Sequence, residues 1–182
     1  MESKQENILE LFFNYPAKQW HFEEIVKTAK IARSKADRWL KLLTKKELIK
    51  RVKLSGKMPY YIGNYDSPTY KNKKKLFALT KLDESGLLDH LSSLPKANTV
   101  ILFGSYSRSD WYKESDIDIF IHGDAQGLKI AEYELKLHRD IQLFICHDKE
   151  ELIKLGPGLI RNIIRGNFIK GDLDFIEVSV HG

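Results

Sequence analysis

The spacing of apolar side chains changes along the chain from a helical to a strand-like pattern. In the first 45 residues apolar positions recur every three or four residues, which predicts three helices, and Pro16 marks the end of the first. Two β-rich runs around a Ser-Gly-Lys turn then predict a hairpin. The predicted segments are helices over 6–15, 20–30 and onward from Ser34, and strands over 48–54 and 58–62.

The second half of the chain combines strands with helices. A loop rich in Gly, Asn, Asp, Ser and Pro at 63–69 is typical of a boundary between modules. After it we predict one or two helices over 70–94, broken near Asp83 or Gly86. The remaining predictions are strands over 99–103, 115–121, 139–146 and 174–180 and helices over 124–138, 149–155 and 159–165. This order favours an α/β (α+β) fold, in which a mixed sheet is flanked by helices.

Charge divides the chain in the same way. Residues 1–65 carry 14 Lys and Arg against 7 Asp and Glu, whereas residues 96–182 carry 11 against 14. A basic first module suggests a polyanionic partner, and an acidic second module suggests a carboxylate site. We therefore expect a first domain over 1–65, connecting helices over 66–95 and a second domain over 96–182. The sequence has no membrane-spanning stretch and no signal-peptide core, so we expect a cytosolic protein.

Three helices followed by a basic hairpin resemble a winged helix-turn-helix domain. Ser34 and Asp37 have capping-box spacing at the start of the third helix. The resemblance implies that this helix enters the DNA major groove and that the hairpin tip touches the backbone or the minor groove. The implied contacts are Arg33, Ser34, Lys35 and Arg38 on the helix and Lys53 and Lys57 on the hairpin. The alternatives are that these side chains only solvate a helix face, or that the module contacts proteins or forms a homodimer.

A Gly-Ser turn follows the first strand of the second domain. The apolar run over 99–103 stops at Gly104 and Ser105, and Ser105 is a natural N-cap for a short helix. The free N–H groups of such a helix favour an anion. Arg108, one turn further on, adds a cationic contact or faces solvent.

Two carboxylates follow this turn. In a strand over 115–121, Asp116 and Asp118 share one face and lie roughly 6.5–7 Å apart at their backbones. Like charges at this separation are costly unless a cation neutralises them, and Mg²⁺ suits paired carboxylates completed by phosphate oxygens. Together with the turn, the pair predicts a nucleoside triphosphate site. The alternative is that both carboxylates are solvated on an edge strand.

This pattern resembles the DNA polymerase beta type nucleotidyltransferases, above all their minimal prokaryotic members. The resemblance rests on Gly104-Ser105, a ten-residue interval and Asp116-x-Asp118. It implies that the turn holds the triphosphate and that the aspartates hold two Mg²⁺ ions, with Mn²⁺ as a substitute. It also implies a third carboxylate on a later strand, a position that Asp140 fits.

The resemblance implies transfer of a nucleoside monophosphate from an NTP, expected to be ATP, to an acceptor hydroxyl. Two other functions are open: a DNA-binding regulator that only senses nucleotide, and an adenylyltransferase of the antitoxin type with a protein acceptor. An enzyme that modifies an RNA end is a further alternative.

Several other residues have two interpretations each. Three aromatic residues after the turn either stack on a nucleotide base or pack locally; they are Tyr106, Trp111 and Tyr112. Cys146 is either a small core residue or a metal ligand. The lysines at positions 71 and 73–75 are expected to be solvated.

Overall fold

Helices and strands follow one another much as the apolar spacing predicts, in a computed structural model that describes residues 4–174. Of the predicted strand over 174–180, only residue 174 belongs to the described part of the chain, and residues 175–180 lie outside it. The helices are α1 (Lys4–Asn14), α2 (Phe22–Thr28), α3 (Arg33–Lys45), α4 (Pro68–Glu84), α5 (Leu87–Ser93), α6 (Gly104–Arg108), α7 (Ile130–Leu137), α8 (Lys149–Lys154) and α9 (Gly156–Ile164). The strands are β1 (Ile49–Val52), β2 (Tyr60–Gly63), β3 (Ala97–Phe103), β4 (Ile117–Gly123), β5 (Ile141–Cys146) and β6 (Asn167–Lys170).

The chain divides into two units. Among the described residues, the first unit comprises 4–74 together with Trp111–Lys113, and the second comprises 75–110 and 114–174. The boundary therefore falls inside α4, and a three-residue piece of a later loop belongs to the first unit.

The first unit contains three helices and a hairpin. β1 and β2 pair antiparallel, and Trp20 adds a bridge to Tyr61 through two backbone hydrogen bonds of 2.8 and 2.9 Å. Apolar side chains from each helix are buried, among them Phe12, Ile25 and Leu40. The apolar faces predicted from helical spacing are therefore buried in these helices.

The predicted start of the third helix needs a correction. α3 begins at Arg33, its N-cap is Ala32, and no side chain caps it. Asp37 instead accepts a hydrogen bond of 2.8 Å from Lys41, one turn further along the helix. The capping-box spacing is therefore present in the sequence without the capping interaction, because Ser34 lies one residue inside the helix.

A buried lysine joins α4 to the loop piece within the first unit. Lys74 is 2% exposed, its ammonium donates to the backbone carbonyl of Trp111, and it lies 4.5 Å from the centre of the Trp111 ring. Trp111 packs edge-on against Phe13 at 6.1 Å, and the Lys113 N–H donates to the carbonyl of Asn14 at 3.0 Å. The expectation that Lys74 is solvated is wrong.

The second unit is built on a four-stranded mixed sheet in the order β5-β4-β3-β6. β4 pairs parallel with β5, whereas β3 pairs antiparallel with both β4 and β6. The predicted mixed α/β class is therefore confirmed. One face packs against α8 and α9, where Ile101, Phe103 and Phe120 form a core with Cys146, Leu152 and Ile163. None of the described helices combines the length and apolarity needed to cross a membrane.

Candidate functional site

The turn after β3 is shaped by Gly104. This residue has φ = +70°, in the left-handed region that side chains rarely adopt, and it is buried. A Cβ at this position would lie 1.9 Å from Oδ2 of Asp118. Glycine is thus required here both by the backbone conformation and by the close approach of a carboxylate from the neighbouring strand.

Ser105 does not cap the helix that follows. α6 spans Gly104–Arg108, its N-cap is Phe103, and no side chain makes a capping hydrogen bond. Ser105 lies inside the first turn, where its carbonyl accepts the N–H of Asp110 at 3.1 Å. The prediction of a Ser105 N-cap is therefore wrong, although Ser105 is next to Gly104 and half-buried.

The two aspartates lie where β4 begins. The strand starts at Ile117, so Asp116 precedes it and is exposed, whereas Asp118 belongs to it and is half-buried. Burial raises the pKa of the Asp118 carboxyl, and the negative charge of Asp116 raises it further. Both effects disfavour the ionised form, and a cation bound beside the pair would reverse them.

Arg108 is a cation that acts on Asp118. It lies at the end of α6, where its Nε donates to Oδ2 of Asp110 at 3.0 Å. Its charge lowers the pKa of Asp118, in opposition to burial and to Asp116. Arg108 is about half-exposed, so the contact with Asp110 adds little stability and leaves the side chain accessible to an anion.

Asp140 lies just before β5 and is exposed. Its carbonyl accepts the N–H of Ile117 at 2.9 Å, and Ile117 pairs with Ile141 in the parallel ladder. Continuing this register by one residue places Asp140 opposite Asp116. Asp116 and Asp140 therefore lie side by side directly before β4 and β5, and Asp118 follows within β4.

Gln142 is a polar residue of β5 to which the sequence pattern alone gives no role. In the β4–β5 ladder its direct partner is Asp118. The alternation along the strand places Asp140 and Gln142 on one face, but the sequence does not give the register that sets Gln142 beside Asp118.

The fit of a divalent ion can be judged from these groups. Asp116 and Asp118 offer hard oxygen ligands, and their mutual repulsion favours a bound cation. Among residues 4–174, however, no three His, Cys, Asp or Glu side chains are grouped closely enough to hold a metal on their own. The residues present therefore fit an ion that has two carboxylate ligands from the protein and whose remaining ligands are water and phosphate oxygens.

Burial decides between the two interpretations given above for the aromatic residues after the turn and for Cys146. Trp111 and Tyr106 are buried, so they pack within the protein, whereas Tyr112 is 54% exposed. Cys146 is 1% exposed and lies in the apolar core of the second unit, which confirms its interpretation as a core residue.

The residues expected to contact DNA lie on the surface of the first unit. Arg33, Ser34, Lys35 and Arg38 are exposed on the first turns of α3, and Lys53 and Lys57 are exposed between β1 and β2. Arg33 is engaged in an ion pair with Glu23 of α2.

Comparison with known protein families gives a match that covers most of the second unit. Residues 87–172 match the family described as "Polymerase beta, Nucleotidyltransferase". The matched segment contains the Gly104 turn, Asp116, Asp118 and Asp140, and this part of the chain is similar to the nucleotidyltransferase superfamily. Members of this superfamily generally use divalent metals and nucleotide substrates. No curated protein matches the sequence.

Proposed function

We propose that the second unit transfers a nucleoside monophosphate from a nucleoside triphosphate, with ATP as the expected donor, to an acceptor hydroxyl. The observation that carries the proposal is the contact between the Asp118 carboxylate and the Gly104 turn. It supports the proposal because Asp118, the proposed metal ligand, lies against the turn that we propose as the triphosphate site.

Each residue has a stated part in this reaction. Gly104 and Ser105 bind phosphate oxygens, and Arg108 adds a positive charge beside them. Asp116 and Asp118 would hold the ion that accompanies the triphosphate, and Asp140 would contribute a ligand to a second ion. When bound, Mg²⁺ or Mn²⁺ stabilises charge on the phosphates and lowers the pKa of the acceptor hydroxyl.

The balance of the transfer is simple. The acceptor oxygen forms a bond to the α-phosphorus, and the bond from this phosphorus to the bridging oxygen of the β-phosphate breaks. Pyrophosphate leaves, and the proton of the acceptor hydroxyl passes to solvent.

We further propose that the first unit is a winged helix that binds DNA. Its support is the order of three helices and a hairpin, together with the exposed cations on α3 and between β1 and β2. Contacts of this kind go mostly to phosphates, so they strengthen binding without reading sequence.

A second candidate function is a DNA-binding regulator that senses nucleotide without turnover. The observation that favours it is that no three of the described acidic or metal-ligating side chains are grouped around one point. An adenylyltransferase with a protein acceptor uses the same site as the first proposal and differs from it only in the acceptor.

Calorimetry and a pyrophosphate assay together separate these functions. The full chain is titrated with ATP and Mg²⁺, and the same samples are assayed for released pyrophosphate in the presence of cell lysate as a source of acceptor. Binding with release supports transfer, whereas binding without release supports a sensor. Asp140→Asn should slow release more than it weakens ATP binding, and an equal loss of both would contradict its role beside the second ion.

A further inference from the structure

The parallel ladder of β4 and β5 places a carboxamide beside the more buried of the two aspartates. Asp118 pairs with Gln142 in this ladder and with Phe103 on the opposite side, in β3. Adjacent strands lie about 4.8 Å apart, and laterally paired residues point to the same face of the sheet. The extended Gln142 side chain is long enough to cover that distance.

The surroundings of Gln142 limit what its side chain can contact. Farther along the same face, Phe120 pairs with Phe144, and both belong to the apolar layer beneath α8 and α9. Gln142 itself is exposed. Gln142 therefore lies where the apolar layer ends, on the same face as Asp118 and close to the starts of β4 and β5, which Asp116 and Asp140 precede.

The carboxamide of Gln142 can make interactions with a cation and with phosphate that differ from those of a carboxylate. Its oxygen can ligate a hard cation, and its NH₂ group can donate to a phosphate or carboxylate oxygen. It adds no negative charge next to Asp118, whose pKa is already raised by burial and by Asp116. A neutral ligand of this kind lowers the affinity for a free cation relative to a charged one.

We propose that Gln142 is a neutral member of the metal–nucleotide site, with its carboxamide oxygen beside Asp118 on the same divalent ion. This inference rests on the proposed function and deepens it. Because the site has two close carboxylates and a neutral third group, it binds the free ion weakly. The ion then enters together with the triphosphate, whose oxygens complete its coordination.

Binding of free Mn²⁺ to the full chain, measured by electron paramagnetic resonance without nucleotide, tests the proposal. Gln142→Glu adds one charge within roughly 5 Å of the ion and should tighten Mn²⁺ binding about tenfold. Gln126→Glu is the matched control, because Gln126 is exposed in the same unit beyond the far end of β4. It should leave the affinity unchanged.

Gln142→Ala gives a second, charge-free test. It should weaken binding of the Mn²⁺–ATP complex about threefold and leave the thermal midpoint of unfolding unchanged, since the side chain is exposed. If Gln142→Glu does not fold, this variant decides the question, and an affinity equal to that of the unsubstituted chain would overturn the proposal.

Asp118→Asn separates failure of this inference from failure of the proposed function. If Asp118→Asn abolishes Mn²⁺ binding while Gln142→Glu behaves like Gln126→Glu, the role of Gln142 is wrong and the metal site stands. If none of the three substitutions changes Mn²⁺ binding, the ion does not bind at this face and both proposals are wrong.

Discussion

Oδ2 of Asp118 occupies the space that a Cβ on Gly104 would need. The two residues are 14 positions apart in the sequence and lie close together because Phe103, the last residue of β3 and the one before Gly104, pairs with Asp118 of β4. The turn and the carboxylate are therefore held against each other by the antiparallel ladder between β3 and β4. A ligand that touches one of them meets the other.

Gly104→Ala should disrupt the site more than the fold. The added Cβ would meet Asp118 at 1.9 Å in a left-handed backbone conformation, and such a conformation costs a non-glycine residue about 1–2 kcal/mol. We expect at least a tenfold loss of Mg²⁺-dependent ATP affinity by calorimetry. Gly158→Ala is the control, because nothing lies within 4 Å of a Cβ there. Equal affinity in both variants would show that the Gly104 turn does not bind nucleotide.

The raised pKa of Asp118 predicts a pH dependence in the absence of divalent ions. The folded protein holds the proton more tightly than the unfolded chain, whose carboxyl has the ordinary pKa of 3.8. The free energy of unfolding should therefore fall as the pH rises from 3.8 through the raised value. Added Mg²⁺ should reverse the fall, because it favours the ionised carboxylate.

Urea unfolding across the acidic range measures this dependence. Asp118→Asn should remove the fall, whereas Asp89→Asn, at an exposed position on α5, should retain it. A fall of the same size in Asp118→Asn would mean that another group causes it.

Lys74→Met should destabilise the first unit. The substitution removes the ammonium that donates to the buried Trp111 carbonyl, and an unsatisfied buried acceptor costs about 1–3 kcal/mol. Urea unfolding followed by tryptophan fluorescence gives the loss. Lys71→Met, at an exposed position of the same helix, should change the free energy of unfolding by less than about 0.5 kcal/mol. Similar values for the two variants would contradict the structural role of Lys74.

The alternation of side chains over residues 115–121 predicts one face for Asp116 and Asp118. It could not predict that Asp118 touches Gly104 or pairs with Gln142, because both relationships depend on strand register, which local spacing does not encode. The strand boundaries also shifted: β4 begins at Ile117 and β5 at Ile141, so Asp116 and Asp140 lie just outside the strands on which they were predicted.

Two other features depend on residues that are distant in the sequence. Lys74 belongs to a lysine-rich run that is typical of a solvated helix face, and its burial requires Trp111, 37 positions away. β6 was not predicted, because it is four residues long and its strand conformation depends on pairing with β3. Tertiary context, rather than local propensity, determines both features.

Glu23→Gln should strengthen binding of DNA to the first unit. Arg33 forms an ion pair with Glu23. Removing the Glu23 carboxylate therefore frees the Arg33 guanidinium to bind a phosphate, and it also removes one negative charge from the surface. We expect a several-fold gain in affinity for a generic duplex at low salt and a steeper salt dependence, measured by fluorescence anisotropy. Glu10→Gln, on α1, is the charge-matched control. An equal effect of both substitutions on DNA affinity would contradict a role for α3 in DNA binding.

The central claim is that Asp116 and Asp118 hold the metal-bound triphosphate for transfer. Its most direct test incubates the full chain with Mg²⁺, cell lysate and ATP labelled at the α-phosphate, and measures the label that enters macromolecules. The account predicts labelling with the unsubstituted chain and with Asp89→Asn, and none above background with Asp116→Asn or Asp118→Asn. Labelling by Asp118→Asn at the unsubstituted rate would contradict the account.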